Sequence, residues 1–363
     1  MIAALESAGV EVVACHVKLW HGIEDRVKIT EGDWVNPKFW WRVFSAYSKL
    51  IVKFIRIPSF DILMVGYPGQ FDVFLAKVLS SLRKKPLVWD VFMSIYLVAK
   101  ERMIDKKNPL TVKAIRQVEA WALKFPDLLI QDTAVYVNWF HQEYGVSPDR
   151  FHVIPTGADN RIFKFGMRQS NSDQNILKVL YYGTYIPNHG VKKIVKAAEY
   201  LKAYNDICFI FIGKGPERKA VEELVKDHRL SNIHFKDWMS QEDLLVYIQD
   251  ADICLGAFGD TPQSMMTVQN KIFECMAMGK PVITGDSQAV RRSLPVDTIV
   301  LVNRDEPYEI ARRILELKDN SQLREKLSEK SLLIFEQEFC IRSLGKKLEG
   351  FLSALINSTN TPP

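Results

Sequence analysis

Lysine and glutamate stand three residues apart in Val268-Gln-Asn-Lys-Ile-Phe-Glu-Cys-Met-Ala-Met-Gly-Lys-Pro-Val-Ile-Thr284, as Lys271 and Glu274. The spacing reads as a helix stopped by Gly279 and followed by a strand from Pro281, which puts both side chains on one face. Glu274 lies among Phe273, Met276 and Ala277, where a solvated acid is out of place. An acid there needs donors, and the vicinal hydroxyls of a ribose would supply two charge-assisted hydrogen bonds. The plainer alternative is a Lys271–Glu274 surface pair, worth only ~0.3–0.5 kcal/mol.

Two glycine turns precede this helix. Val179-Leu-Tyr-Tyr182 runs into Gly183-Thr-Tyr-Ile-Pro-Asn-His-Gly190, and Ile207-Cys-Phe-Ile-Phe-Ile212 into Gly213-Lys-Gly-Pro216. A strand that ends in glycine and opens a helix lets backbone N–H groups approach a phosphate. Lys214 would add a charge to such a site. Turns of this kind also link strand to helix in many folds that bind nothing.

The first half offers carboxylates. Pro86-Leu-Val-Trp-Asp90 is a buried strand ending on an acid, and Leu128-Leu-Ile-Gln131 leads to Asp132 and Thr133. Asp90 can hold a hydroxyl, stabilise positive charge or take a proton, or it can simply cap the next turn. Asp132-Thr133 also reads as an ordinary helix N-cap. Asp61-Ile-Leu-Met-Val-Gly-Tyr-Pro-Gly-Gln70 supplies a strand opening into a Gly66/Gly69 turn beside Gln70.

These groups must be positioned by strands that alternate with helices. Strands are expected at Val10–Val17, Asp61–Val65, Pro86–Val91, Asp127–Ile130 and Phe151–Ile154, then at Leu177–Tyr182, Ile207–Ile212, Ile233–Phe235, Asp252–Leu255, Pro281–Thr284 and Thr298–Val302. Runs apolar on both faces, separated by helices, argue for parallel sheets covered on each side. The 363 residues, 47% hydrophobic and 25% charged, suit two domains of an ordinary globular protein. Residues 1–160 form the first, 161–338 the second, and a helix in 339–363 is expected to cross back to the first. The opening, Met1 to Gly9, reads as the back half of a helix with a glycine cap. The strand and glycine turn that should precede it are missing, so a preceding unit is expected upstream. A net charge of +5 is weak evidence for an anionic partner, and nucleic acid is not implied. Cys15, Cys208, Cys254, Cys275 and Cys340 lack metal-ligand spacing, and free buried thiols suit a reducing, cytoplasmic setting. No Asp-x-Asp pair is expected at a strand end, and no metal or other cofactor is called for.

The run from Asn270 to Ile283 resembles the signature of retaining GT-B glycosyltransferases of family 4, and the resemblance extends over nearly the whole chain. It implies an α/β fold of two doubly wound Rossmann-like domains facing across a cleft. It further implies transfer of a sugar from a nucleoside-diphosphate sugar, UDP- or GDP-linked, to a hydroxyl acceptor with retention of configuration. Gly183 to Gly190 would be the first phosphate turn, Gly213 to Glu217 the second, and Asn232–Trp238 the base-side strand and loop. The donor set is then Gly183, Thr184, His189, Gly213, Lys214, Trp238, Lys271 and Glu274. Asp90 and Lys271 carry the chemistry, with Gly66, Gly69, Gln70 and Asp132 on the acceptor side. Ile154-Pro-Thr-Gly-Ala-Asp159 matches the segment between domains. Thr184 and His189 replace the cationic pair of many relatives, and Met266 replaces the first of two glutamates. The cationic grip would pass to Lys271, Lys214 or a protonated His189. Two rivals remain: a nucleotide-sugar epimerase of the same fold, and a non-catalytic relative.

The segment Lys38 to Arg56 carries five cations and no acid. Phe39, Trp40, Val43, Phe44, Tyr47, Leu50, Ile51, Phe54 and Ile55 form a stripe expected to pack on the core, with Arg42, Lys49, Lys53 and Arg56 opposite. Those cations are either a solvated face or a peripheral contact with anionic lipid on the inner side of a membrane, which would suit a lipid-linked or surface-glycan acceptor.

Overall fold

A computed structural model describes residues 1–19, 36–166 and 176–360. The first half builds a four-stranded parallel sheet from β1 (Leu63–Val65), β2 (Leu87–Asp90), β3 (Leu128–Gln131) and β4 (Phe151–Val153), in chain order. Leu87, Val88 and Trp89 have no exposed surface, which is what a central strand covered on both faces requires. The second half builds a six-stranded parallel sheet. Its strands are β5 (Leu177–Tyr182), β6 (Ile207–Ile212), β7 (Ile233–Lys236), β8 (Ile253–Leu255), β9 (Val282–Gly285) and β10 (Val300–Val302), ordered β10-β9-β8-β5-β6-β7. Helices link the strands, so each half is Rossmann-like. In the second sheet the order reverses between β5 and β8, and ligands of such sheets bind beyond the carboxyl ends of the strands at that point.

The helix Ile341–Asn360 leaves the second half and packs on the first. Its Ile341, Leu344, Leu348 and Leu352 share one buried cluster with Ala4, Leu5, Val88, Leu128 and Ile130.

Two expectations fail here. Val10–Val17 pairs with no strand among the described residues, although Val10 and Val12 pack partly against that same cluster. The alternation supplied one apolar face, but a strand also needs a neighbouring backbone to ladder with. The stripe of the Pro37–Ile55 helix also divides. Phe54 is buried and Phe39, Val43, Tyr47 and Leu50 are half-buried, whereas Trp40, Phe44, Ile51 and Ile55 are exposed. The apolar arc is wider than the surface it rests on.

Candidate functional site

On the second sheet the site begins with two adjacent strand ends. Tyr182 of β5 and Ile212 of β6 are in register, so Gly183 and Gly213 lie side by side. Their φ angles of +139° and +132° suit glycine, and a side chain at Gly213 would run into the Gly183 carbonyl. The loops then bind each other through backbone: Tyr185 N–H donates to the Lys214 carbonyl and Glu217 N–H to that of Tyr185, both at 3.0 Å.

Lys271 rises from the helix Asn270–Ala277 into this corner. It is buried, and its Nζ has no hydrogen-bond partner among the described residues. The ammonium lies 4.3 Å from the Tyr181 ring centre, within cation–π range. A Cβ on Gly183 would come within 3.0 Å of Nζ, so the bare glycine keeps open the space the lysine faces. Burial pushes Lys271 down to about 7. A buried cation with nothing to hold is costly unless a ligand supplies the anion.

Glu274 accepts a 2.7 Å hydrogen bond from the Tyr182 hydroxyl, and burial raises its pKa against that bond and the pull of Lys271. The Lys271 ammonium lies 6.0 Å from the ring centre of the same tyrosine. The His189 ring places Nδ1 2.6 Å from the Thr184 carbonyl and 3.0 Å from the Tyr181 hydroxyl. A carbonyl only accepts, so Nδ1 carries the proton. Burial and then the Lys271 ammonium hold the imidazole down at about 3, so in the unliganded site His189 is neutral and brings no charge of its own. Thr184 and Lys214 are exposed at the rim, and Trp238 is exposed after β7.

The first sheet presents acids at its own strand ends. Asp90 is half-buried and burial raises it to about 6. Asp132 is buried, and burial followed by the neighbouring Asp90 charge raises it to about 8. Among the described residues neither Asp132 oxygen has a hydrogen-bond partner, although its own N–H and that of Thr133 lie close enough to oppose the shift in part. Glu119 shows the contrast: it is fully buried but accepts from Ser94 Oγ, Tyr144 Oη, Ile95 N and Gln70 Nε2, the first at 2.5 Å. Glu119 is a satisfied structural acid, whereas Asp132 is not. Gln70 turns inward, donating to Met93 O and Glu119, and so serves the framework under the site. Gly69 is buried where a Cβ would strike Trp89 Nε1 at 2.7 Å, and Gly66 is exposed in the turn.

The two sets of strand ends are held together by contacts between the halves. Glu101 accepts from Gln263 N at 2.8 Å and from Asn188 Nδ2 at 3.4 Å, and Thr133 Oγ1 donates to Met266 O at 2.5 Å. Met266 itself packs into the core beneath the first sheet. Arg304, buried after β10, spends its guanidinium on the Gly259, Ser264, Gly285 and Asp286 carbonyls and on Ser264 Oγ. It fixes the loops that follow β8 and β9. Sequence reasoning missed both Arg304 and the placement of Met266. The one signal for Arg304 was a charged residue just past a strand's carboxyl end. The spacing Asp250-Ala-Asp252 was also overlooked; it sits at the amino end of β8, where Lys178 binds both acids, away from the site.

Residues 177–320 match the family model for glycosyl transferases group 1, and residues 1–161 match that for glycosyltransferase family 4. Among curated relatives, the alpha-D-kanosaminyltransferase of Streptomyces kanamyceticus is 26% identical over 175 residues, 47% of this chain and 44% of that one. The matched stretch therefore spans less than half of that relative. Among solved structures, Anabaena HepE in complex with UDP superposes with a TM-score of 0.67 at 17% identity, covering 84% of this chain and 82% of that chain. Sucrose-phosphate synthase from Thermosynechococcus elongatus gives 0.68 at 16% identity, covering 92% and 80%. Both structures share the fold of two Rossmann-like domains.

Proposed function

From the premise that the chain belongs to the group 1, family 4-like glycosyltransferases, we propose that it transfers a sugar from a nucleoside-diphosphate sugar to a hydroxyl acceptor with retention of configuration. The observation that carries this reading is Lys271, a buried ammonium with no hydrogen-bond partner among the described residues, beside the open Gly183 turn. The HepE structure holds UDP in a protein of the same fold. The diphosphate would lie against Lys271 and the backbone donors of Gly183–Thr184, with Lys214 at the rim. Glu274 would take the ribose hydroxyls with the capacity that Tyr182 leaves free. Trp238 would stand on the base side.

Leaving-group charge grows on the diphosphate as the glycosidic bond breaks. Preorganised donors in a dry corner stabilise that charge more than water does. On the opposite face, Asp90 and Asp132 lie where the acceptor would enter. With Asp90 near 6, its carboxylate dominates at neutral pH and can take the acceptor's proton or steady positive charge on the sugar. Asp132, near 8, stays mostly protonated and can donate to an acceptor oxygen. A lipid-linked or surface glycan is the acceptor class this reading favours, and no metal takes part in it.

The test is thermal protection by UDP, GDP and their sugars, with wild type and Glu274→Ala in parallel. A ligand at one hundred times its Kd should stabilise by about 2.7 kcal/mol. No protection by any nucleotide would refute the donor site.

A further inference from the structure

The Pro37–Ile55 helix has three faces rather than two. Phe39, Val43, Tyr47, Leu50 and Phe54 turn toward the body, where Tyr47 donates to Asp72 and Arg83 stacks over Phe54. A second sector, about 120° wide at 100° per residue, holds Trp40, Trp41, Phe44, Ile51, Val52 and Ile55. Trp41 is 71% exposed, and Phe44 and Ile55 are each 65% exposed. Lys38, Lys49, Lys53 and Arg56 occupy the adjoining sector and are exposed. A groove runs along the border, between Val17 and Lys18 on one side and Lys49, Val52 and Lys53 on the other.

We infer that this surface docks the protein on an anionic lipid bilayer by insertion. The aromatic sector enters the headgroup–acyl boundary, where tryptophan is favoured, and the lysine-rimmed groove receives a lipid phosphate. Monomeric proteins rarely leave so continuous an apolar face in water, so it has an occupant. Charge selects which one. The segment from Lys38 to Arg56 contains no acid, so a second copy laid symmetrically on this face would bring like charges together, whereas anionic headgroups complement them. Insertion, unlike purely electrostatic docking, survives salt in part. This inference does not depend on the donor site, and nucleotide protection measured on the same samples keeps the two apart.

The experiment is co-sedimentation with vesicles of phosphatidylcholine, alone or mixed with phosphatidylglycerol. It is run at about 0.1 M and about 1 M salt, where the screening length falls from about 10 Å to about 3 Å. Wild type is compared with Trp41→Ser/Phe44→Ser/Ile55→Ser and with Lys49→Gln/Lys53→Gln. Wild type should bind the anionic vesicles and keep a measurable fraction bound at high salt. The apolar triple variant should lose about tenfold in partitioning at both salts, and the lysine pair should lose several-fold at low salt only. Each replaced side chain is exposed, so unchanged melting temperatures should confirm the fold. Absence of vesicle binding, or equal binding by wild type and the triple variant, overturns the proposal. Complete loss of binding at high salt overturns insertion. A wild-type dimer in solution that the triple variant abolishes, with no vesicle bound, assigns the face to a second copy and overturns the lipid.

Discussion

The two sheets prepare their facing ends in opposite ways. The second offers a buried ammonium, Lys271, and glycine turns that bare their backbone, while the first offers Asp90 and Asp132, acids raised by burial. Each side leaves a buried group unpaired, a state that packing alone would remove. Two buried charges away from the site are matched by partners: Glu119 has four donors and the Arg304 guanidinium five acceptor atoms. The difference teaches where to look. Satisfied buried charge builds the frame, and unsatisfied buried charge marks the place where a ligand completes the structure.

The sharpest test of this contrast is Asp90→Asn, which keeps shape and removes charge. Turnover should fall about 10²–10⁴-fold while donor Kd moves little, as steady-state kinetics and donor titration would show. Unaltered turnover would reduce Asp90 to a cap. Glu274→Ala should weaken donor binding about tenfold or more by calorimetry with the melting temperature largely retained, since two hydrogen bonds to a charged acceptor are lost.

Lys271 makes a pH signature. Its folded pKa of about 7 lies below its ordinary value, and an anion binds its protonated form. Donor affinity should therefore decline as pH rises above 7, at most tenfold per unit, and Lys271→Met should abolish that slope along with most of the affinity. For the free protein the sign reverses. The unfolded chain holds more protons than the folded one between pH 7 and the ordinary lysine range, so stability attributable to Lys271 rises across that window. Asp132 gives the smallest effect. Its folded pKa is raised, so its contribution to stability is full at acid pH and is lost as pH rises through 8. Asp132→Asn should accordingly gain about 1–3 kcal/mol relative to wild type at pH 9 in denaturant titrations, and little at pH 4.

Much of the frame was legible. Ten of the expected strands form, within a residue or two of their bounds, because runs such as Leu177–Tyr182 are apolar on both faces and bounded by glycine. Val10–Val17 misled because alternation reports a face, not a pairing partner. Gly183 and Gly213 at strand ends, and Lys271 and Glu274 one helical turn apart, could be named from spacing, since each pattern lies within a short stretch of chain. The company they keep could not. Tyr182 beneath Glu274, Asp132 against Asp90, and Arg304 across three loops are meetings of residues far apart in the chain. The charge state of His189 in the free site was hidden for a related reason: it is set by burial and then by Lys271, 82 positions away.

Met266 bears on how the chain becomes a protein at all. Its side chain completes the core of the first half although it is encoded in the second, and its carbonyl is claimed by Thr133. Separated at residue 160, the amino fragment would carry a gap and the carboxyl fragment an orphaned apolar residue. The halves should therefore mature as one cooperative unit, the earlier-synthesised half reaching its final packing only after the later one arrives.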